Sequence, residues 1–174
     1  RSLAIWEKAL GPNHRSVAHG LNDLAKLYTA ESQFAKAEPL VMRALTIQEK
    51  SLGLDHPEMA DSLRELSGLY FFQGQFAKAE PLVIRTLEIK EKFLGLDHPD
   101  VALILSDLSA LYFFQGQNAK AKPLIGRALA IYEKTLGPNH PYVAQILLGN
   151  SLITWSLNDL ADTLIVMQRS IAIR

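Results

Sequence analysis

The chain repeats itself with a period of 42 residues, and this period is the strongest constraint on its fold. The linkers "LGLDHP" and "LGPNH" recur at this spacing, and side chains elsewhere in the unit keep the same register. The recurring positions are His14, His56, His98 and His140; Gly11, Gly53, Gly95 and Gly137; Tyr28, Tyr70 and Tyr112; Ala37, Ala79 and Ala121; Pro39, Pro81 and Pro123; and Arg1, Arg43, Arg85, Arg127 and Arg169. Such regularity indicates tandem structural units.

Each unit contains two segments with helical periodicity. In the first, Met59, Leu63 and Leu66 recur at steps of three and four residues, which predicts a helix over 57–72 with one apolar stripe. The same periodicity predicts a second helix over 76–94, and the glycine of "QGQ" between them can adopt the left-handed conformation that ends a helix. No segment shows the strict alternation of a half-buried strand.

A hairpin of two such helices is too small to bury its apolar stripe alone, so stacking on the next hairpin must complete the core. The sequence therefore predicts an all-α fold, a right-handed superhelical α-solenoid of stacked antiparallel helix hairpins that forms a single array over 1–174. Its predicted parts are an orphan second helix of a truncated repeat at 1–10, hairpins at 15–52, 57–94 and 99–136, and a degenerate hairpin at 141–174.

The fourth unit departs from the pattern of the others. Its replacements are Asn150 for leucine, Thr154 for tyrosine, Asn158 for glycine and Ile165 for proline. The run at 164–167 is too apolar for a finished cap, which predicts either a further helix in a longer protein or a self-association surface. Because the pattern is already under way at Arg1, we expect the chain to be a fragment.

The composition excludes several classes of partner and site. The 18 basic residues balance the 18 acidic ones, so no net charge attracts nucleic acid or an anionic membrane. No apolar run reaches the ~20 residues of a membrane-spanning helix. The absence of cysteine excludes disulfides and thiolate chemistry, and it fits a reducing compartment, which predicts a cytoplasmic location.

The four linker histidines have two readings, as metal ligands or as structural residues. Ligands must lie within about 2.0–2.3 Å of one ion, whereas equivalent positions in stacked repeats are on the order of 10 Å apart. The linker instead suits a helix boundary. Gly53 can end one helix, Asp55 or His56 can accept from the first amides of the next, and Pro57 fits its first position. We favour the structural reading and predict no metal site.

No residue set points to an enzyme. The chain has no distinctively spaced serine, histidine and acid, and no glycine-rich loop after a strand. His19 lies outside the linker series, on a predicted first helix, where an ordinary exposed side chain is the simpler reading and contact with a ligand the alternative. We therefore predict neither a catalytic site nor a cofactor.

The segments "LNDLAKLYTAESQFAKAEPLVMRAL", "LRELSGLYFFQGQFAKAEPLVIRTL" and "LSDLSALYFFQGQNAKAKPLIGRAL" resemble the tetratricopeptide repeat. The likeness rests on the leucine and small-residue pairs, the tyrosine, the turn and the small residues of the second helix. The longer second helix and the "LGxxHP" linker resemble the 42-residue variety found in kinesin light chains. The resemblance covers nearly the whole chain, and it implies that first helices line a concave groove.

The family's groove positions carry over to a defined set of residues. These are His19, Asn22, Asp23 and Lys26 in the first unit; Asp61, Arg64, Glu65, Gly68 and Phe72 in the second; Leu103, Ser106, Asp107, Ala110 and Phe114 in the third; and Gln145, Leu148, Gly149 and Leu152 in the fourth. Of the asparagines with which kinesin light chains hold a peptide backbone, only Asn22 is present. An acidic-peptide preference is therefore not implied.

The resemblance implies a protein-interaction module that binds a partner peptide or domain in its groove. The first half of the groove is polar and the second largely apolar, so we expect a charged part of the partner to meet Lys26 and Arg64. An apolar part would rest on residues such as Phe72, Phe114 and Leu148, although at least half of the phenylalanines are expected to fill space between repeats. The alternative is a structural segment that forms homo-oligomers through its apolar ends at 3–10 and 164–173.

Overall fold

The computed structural model describes residues 2–173 and contains helices joined by short linkers, with no strand in that range. The chain divides into two compact units, the first ending at Ile89 and the second beginning at Lys90. The helices of the described range are α1 (Ser2–Leu10), α2 (Arg15–Ala30), α3 (Phe34–Leu52), α4 (Pro57–Phe72), α5 (Phe76–Leu94), α6 (Pro99–Phe114), α7 (Asn118–Leu136), α8 (Pro141–Ser156) and α9 (Leu160–Ala172). The predicted all-α fold is confirmed, and the helices predicted over 57–72 and 76–94 are α4 and α5.

Each linker histidine caps the helix that follows it. The backbone N–H of Glu58 donates to Nδ1 of His56 at 3.3 Å, and the N–H of Asp100 donates to Nδ1 of His98 at 3.1 Å. The corresponding bonds at the starts of α2 and α8 are 3.2 Å long. Each bond satisfies one of the amides that a helix leaves unpaired in its first turn. The structural reading of these histidines is therefore confirmed.

The histidine, and not the neighbouring aspartate, is the capping residue of the linker. Asp55 forms an ion pair with Arg85 of α5, while His56 accepts the amide hydrogen bond. Gly53 follows the last residue of α3 with a φ of 82°, a region that side chains with a Cβ disfavour. Helix α2 begins at Arg15, where the other linkers have proline, so a proline is not required to start the helix.

The prolines inside the second helices do not break them. Pro39, Pro81 and Pro123 lie in the second turn of α3, α5 and α7, and each of these helices is 19 residues long in total. Proline removes one backbone donor at this position but leaves the rest of the ladder in place. The nearby Ala37 and Ala79 are fully buried, which allows close packing of the neighbouring helix.

The core of the first unit is shared between hairpins. Val41 of α3 belongs to the same buried cluster as Leu66 and Leu69 of α4, the first helix of the next hairpin. Tyr70 borders this cluster, and its hydroxyl donates to Glu38 of α3 at 3.0 Å. Burial, and then this hydrogen bond, raise the pKa of the Tyr70 hydroxyl. The apolar stripe of one hairpin is thus covered by the following hairpin, as the sequence predicted.

A chain of buried polar side chains crosses the same boundary. The Asn22 amide of α2 donates to Oγ of Ser62 on α4 at 2.6 Å, and the Ser62 hydroxyl donates to Oε1 of Gln48 on α3 at 2.7 Å. The Gln48 amide donates to the carbonyl of Glu58 at 3.3 Å. Because all three side chains are buried, these bonds replace hydrogen bonds that water would otherwise supply. Ile104 holds the register of Ser62 one period later, so this chain is not repeated there.

Arginines that recur at one position of the repeat form ion pairs with acidic side chains of an earlier helix. Arg43 lies 2.7 Å from Glu7 of α1, and Arg127 lies 2.7 Å from Glu91 of α5. Ion pairs at the surface contribute only about 0–1 kcal/mol each, so these pairs orient the helices more than they stabilise them. Arg1, the first member of the series, lies outside the described residues.

The degenerate fourth repeat still forms a hairpin. Asn158 takes the left-handed conformation between α8 and α9, with a φ of 59°, as Gly116 does one period earlier with a φ of 74°. Asparagine is one of the few residues with a side chain that tolerates this region. Thr154 replaces the tyrosine of the repeat, and it accepts a 2.9 Å hydrogen bond from Thr163 of α9. A buried pair of threonines therefore lies where the other repeats have a tyrosine.

Removal of one capping histidine is expected to weaken the repeat. For His98→Ala we expect the free energy of unfolding to fall by about 1 kcal/mol, since the Asp100 amide loses its acceptor. For His98→Asn we expect little or no loss, because asparagine is a strong cap. Urea unfolding followed by circular dichroism measures both. Equal stability of His98→Ala and the unaltered chain would contradict the capping role.

Loss of the central hydroxyl in the buried polar chain is expected to cost more. For Ser62→Ala we expect about 1–3 kcal/mol, because Asn22 and Gln48 both lose a buried partner. Ser67→Ala is the matched control, since this buried hydroxyl bonds only the carbonyl of Arg64 in its own helix. Equal free energies of unfolding for the two variants in denaturant would show that the polar chain stabilises the fold no more than a hydrogen bond within one helix does.

Candidate functional site

The open face of the first helices in the first unit carries charges of both signs. Its exposed residues are His19, Asp23 and Lys26 on α2 and Asp61, Arg64 and Phe72 on α4. Nζ of Lys26 lies 3.9 Å from Asp23, and Nε2 of His19 lies 3.2 Å from a carboxylate oxygen of Glu58. A surface pair as long as that of Lys26 is weak, so a stronger anionic partner can replace it. The sequence-predicted charged residues His19, Asp23, Lys26, Asp61 and Arg64 are therefore exposed.

The border of this face combines a polar pair, an open space and an aromatic stack. Glu65 is half-buried and accepts a 3.3 Å hydrogen bond from the hydroxyl of Thr29. Apart from the backbone of its own helix, a Cβ placed on Gly68 would meet no atom within 4 Å, so the surface is open above this residue. The exposed ring of Phe72 stacks on Phe34 with centroids 6.0 Å apart. The stack holds an aromatic surface at one end of the charged face.

Asn22 does not belong to the open face on which the sequence placed it. Only 8% of its surface is exposed, because its amide donates to Ser62 inside the boundary between hairpins. Its Oδ1 atom is buried without a hydrogen-bond partner. The expectation that Asn22 presents its amide on the groove surface is therefore corrected, since the serine that it bonds comes from the following repeat.

The first helices of the second unit present a largely apolar face. Its exposed residues are Leu103 and Phe114 on α6 and Gln145 and Leu152 on α8, while Ser106, Asp107, Ala110, Leu148 and Gly149 are half-buried. The Ser106 hydroxyl donates to the carbonyl of Ala102 at 2.8 Å, so it is already satisfied within its helix. Asp107 is the one charged residue among the nine predicted positions of this face. The two units therefore offer chemically different surfaces.

The phenylalanine pairs divide between packing and exposure. Phe71 is half-buried and meets the ring of Phe76 edge-on at 5.5 Å, whereas Phe72 beside it is exposed. In the second unit Phe113 is likewise half-buried and Phe114 exposed. One member of each pair therefore fills space within the stack, and the other contributes to the open face.

Three large exposed side chains on first helices were missed by the sequence reading. They are Leu27 on α2 and Tyr142 and Trp155 on α8. Tyr142 stacks on Tyr132 with centroids 5.8 Å apart. Trp155 stands at the register position of the half-buried Phe71, so its position in the repeat gave no sign of exposure. For the two residues of α8, the departures of the fourth unit from the pattern were the available signal.

Within residues 2–173, no group of three or more histidine, aspartate or glutamate side chains is placed to hold a metal ion. Nor is any helix of that range long and apolar enough to cross a membrane. The open faces supply charged donors, acceptors and apolar contacts. Such groups are suited to holding another molecule by many weak contacts.

Comparison with known proteins identifies the repeat. A family model described as tetratricopeptide repeat matches four overlapping segments, 1–50, 17–92, 58–134 and 100–174. Together these matches cover the whole chain. A comparison with curated protein sequences found no similar protein.

Solved structures with similar folds come from several kinds of protein. A putative kinesin light chain with nearly identical TPR-like repeats from Podosopora anserina is 27% identical, with a TM-score of 0.83 over 98% of this chain and 81% of that chain. BtubC (BKLC) from P. vanneervenii is 21% identical, with a TM-score of 0.85 over 91% of this chain and 63% of that chain. A Rap protein complexed with Competence and Sporulation Factor is 17% identical, with a TM-score of 0.77 over 91% of this chain and 43% of that chain.

The last two likenesses concern the fold alone, whereas the family match rests on the sequence of every repeat. The period, the helix hairpins and the capped linkers agree with that match. The chain therefore belongs to the tetratricopeptide repeat family, in the form with 42-residue repeats that resembles kinesin light chains.

Proposed function

We propose that this chain is a protein-interaction module whose first-helix faces bind a partner peptide or domain. Membership of a family that generally serves as a non-catalytic scaffold supports binding over an enzymatic role. The observation that carries the proposal is the pair of open faces, one charged and one apolar. A partner with an acidic segment and a separate apolar segment has the matching chemistry.

In this proposal the charged face of the first unit fixes the orientation of the partner. Arg64 offers a planar guanidinium that binds a carboxylate through two hydrogen bonds, and Lys26 offers a mobile ammonium group. The neighbouring Asp23 and Asp61 disfavour a partner that is acidic throughout. Because surface ion pairs contribute only about 0–1 kcal/mol each, this face supplies specificity more than affinity.

The apolar face of the second unit supplies most of the affinity. Phe114 and Leu152 are exposed on α6 and α8, and the small side chain of Ala110 on α6 is half-buried. Large apolar and aromatic side chains carry most of the binding energy in typical interfaces. An amphipathic or extended segment with two or three bulky apolar residues fits this surface.

The charged half of the proposal is tested with peptides selected by display against the purified chain. For peptides with acidic residues we expect Lys26→Ala combined with Arg64→Ala to raise Kd about tenfold, since two charge pairs are lost. The matched control is Lys36→Ala combined with Lys50→Ala, two exposed lysines of α3. Fluorescence anisotropy measures each Kd. An equal Kd for both double variants would show that these peptides do not bind at the first-helix face.

A separate variant tests the apolar half. For Phe114→Ala we expect a rise in Kd of at least about tenfold for every selected peptide, acidic or not, because the exposed ring is a large part of the apolar contact. The control is Phe93→Ala, an exposed phenylalanine on a second helix. Peptides that bind equally well to both variants would contradict the assignment of this face.

A further inference from the structure

Two recurring positions lie on either side of the linkers that follow α3, α5 and α7, and they carry matched side chains. The first position is on a second helix, and the other comes ten residues later in the first turn of the next first helix. The pairs that fill them are Gln48 and Glu58, Lys90 and Asp100, and Tyr132 and Tyr142. Both members change from one linker to the next, so each of these linkers is spanned by a different kind of contact.

The member of each pair on the second helix is largely buried. Gln48 is 1% exposed, and its amide donates to a backbone carbonyl across the linker at 3.3 Å. The Lys90 side chain is 15% exposed, and its Nζ lies 3.4 Å from Oδ2 of Asp100. Tyr132 is 6% exposed, and its ring stacks on that of Tyr142 with centroids 5.8 Å apart. A buried amide, ammonium group or ring each requires its own kind of partner, so the three pairs cannot exchange members without cost.

A second set of positions reverses its charges between the two units. In the first unit Glu38 of α3 accepts the hydrogen bond of Tyr70, and Nζ of Lys78 on α5 lies 5.2 Å from the centroid of the Tyr70 ring. In the second unit Lys122 of α7 holds the register of Glu38, and Asp162 of α9 holds that of Lys78. Nζ of Lys122 lies 3.1 Å from Oδ2 of Asp162. An acidic second helix followed by a basic hairpin thus becomes a basic second helix followed by an acidic hairpin.

Matched contacts of this kind penalise a wrong neighbour. If α7 packed against a hairpin of the α4 and α5 type, Lys122 would meet Lys78, and if α3 packed against one of the α8 and α9 type, Glu38 would meet Asp162. Like charges in contact repel, and a largely buried lysine placed beside a tyrosine would lose its carboxylate. Repeats with nearly the same sequence offer one another nearly equivalent apolar surfaces. Misassembly and the exchange of elements between copies are therefore characteristic failures of repeat proteins.

We propose that these positions form a matching code, by which each second helix accepts the hairpin that follows it in the chain and disfavours the others. The apolar core makes no such distinction, because Val41, Val83 and Ile125 fill one register position with buried aliphatic side chains. The code fixes the order of the hairpins, and with it the order of the charged and apolar first-helix faces along the chain. It uses none of the side chains proposed to bind a partner, so it does not depend on that proposal.

Exchanges between two of the linkers test whether the positions are matched. Asp100→Tyr takes the carboxylate from Lys90, and Tyr132→Lys places a lysine beside Tyr142, so each change is expected to lower the folding equilibrium constant at least about tenfold. Adding Lys90→Tyr to the first change, or Tyr142→Asp to the second, creates the pair found at the other linker and is expected to recover most of the loss. Urea unfolding followed by circular dichroism measures all four variants. If the second change adds to the loss caused by the first, the positions are independent and the proposal is overturned.

The matched control is an exposed ion pair of the second unit. Lys134 and Asp97 form this pair, and their side chains are 69% and 63% exposed. Asp97→Tyr is expected to change the folding equilibrium constant less than about fivefold, because water replaces the lost partner of an exposed lysine. A loss as large as that of Asp100→Tyr would show that any broken ion pair has the same effect, and would overturn the special role of the linker positions.

A refolding experiment tests the order of the hairpins itself. Lys90→Tyr and Asp100→Tyr are combined with Lys122→Glu, Asp162→Lys and Asp159→Gln, the last because Asp159 lies 2.8 Å from Lys122. In this variant the boundaries after α5 and α7 carry the same matched pairs, so we expect it to keep its helices by circular dichroism.

After refolding from urea at increasing protein concentration, the combined variant is expected to leave more dimer than the unaltered chain, because hairpins of two copies can then exchange. Sedimentation velocity measures the dimer, and the same protein before unfolding is the reference for each chain. Equal dimer fractions for the two chains would overturn the proposal, and so would loss of the helices in the combined variant.

Discussion

A helix hairpin of this size cannot bury its own apolar stripe, and the rest of the structure depends on the burial that the next hairpin supplies. In the first unit the cluster around Val41 is completed by Leu66 and Leu69 from the following hairpin. Stability is therefore a property of the boundary between repeats and not of one repeat. The linkers and their histidine caps set the residue at which each following helix begins.

Because of this dependence, the two helices of a hairpin have different roles. Second helices bury residues such as Ala37 and Val41 against their neighbours, so their positions are fixed by packing. First helices keep one face clear of the core, and that face is free to vary. In the first unit it carries Lys26 and Arg64, and in the second it carries Leu103 and Phe114. The identity of these exposed residues can thus change without loss of the fold.

Most of the fold could be predicted from the sequence because it rests on local rules. The period, the apolar spacing and the glycine after most helices are properties of short segments, and they placed α4 and α5 correctly. The candidate site was harder, since exposure depends on what a neighbour contributes. Asn22 is buried because Ser62 from the next repeat accepts its hydrogen bond, and Leu27 is exposed where the equivalent Leu69 is covered. Neither outcome can be read from the periodicity of one helix.

The central claim is that a hairpin completes the core of the hairpin before it, and amide hydrogen exchange after Leu66→Ala tests it most directly. Leu66 belongs to α4, but it is buried in the cluster that includes Val41 of α3. If the boundary is the unit of stability, protection falls in α3 as well as in α4, by a similar factor. A loss of protection confined to α4 and α5, with α3 unchanged, would contradict the account.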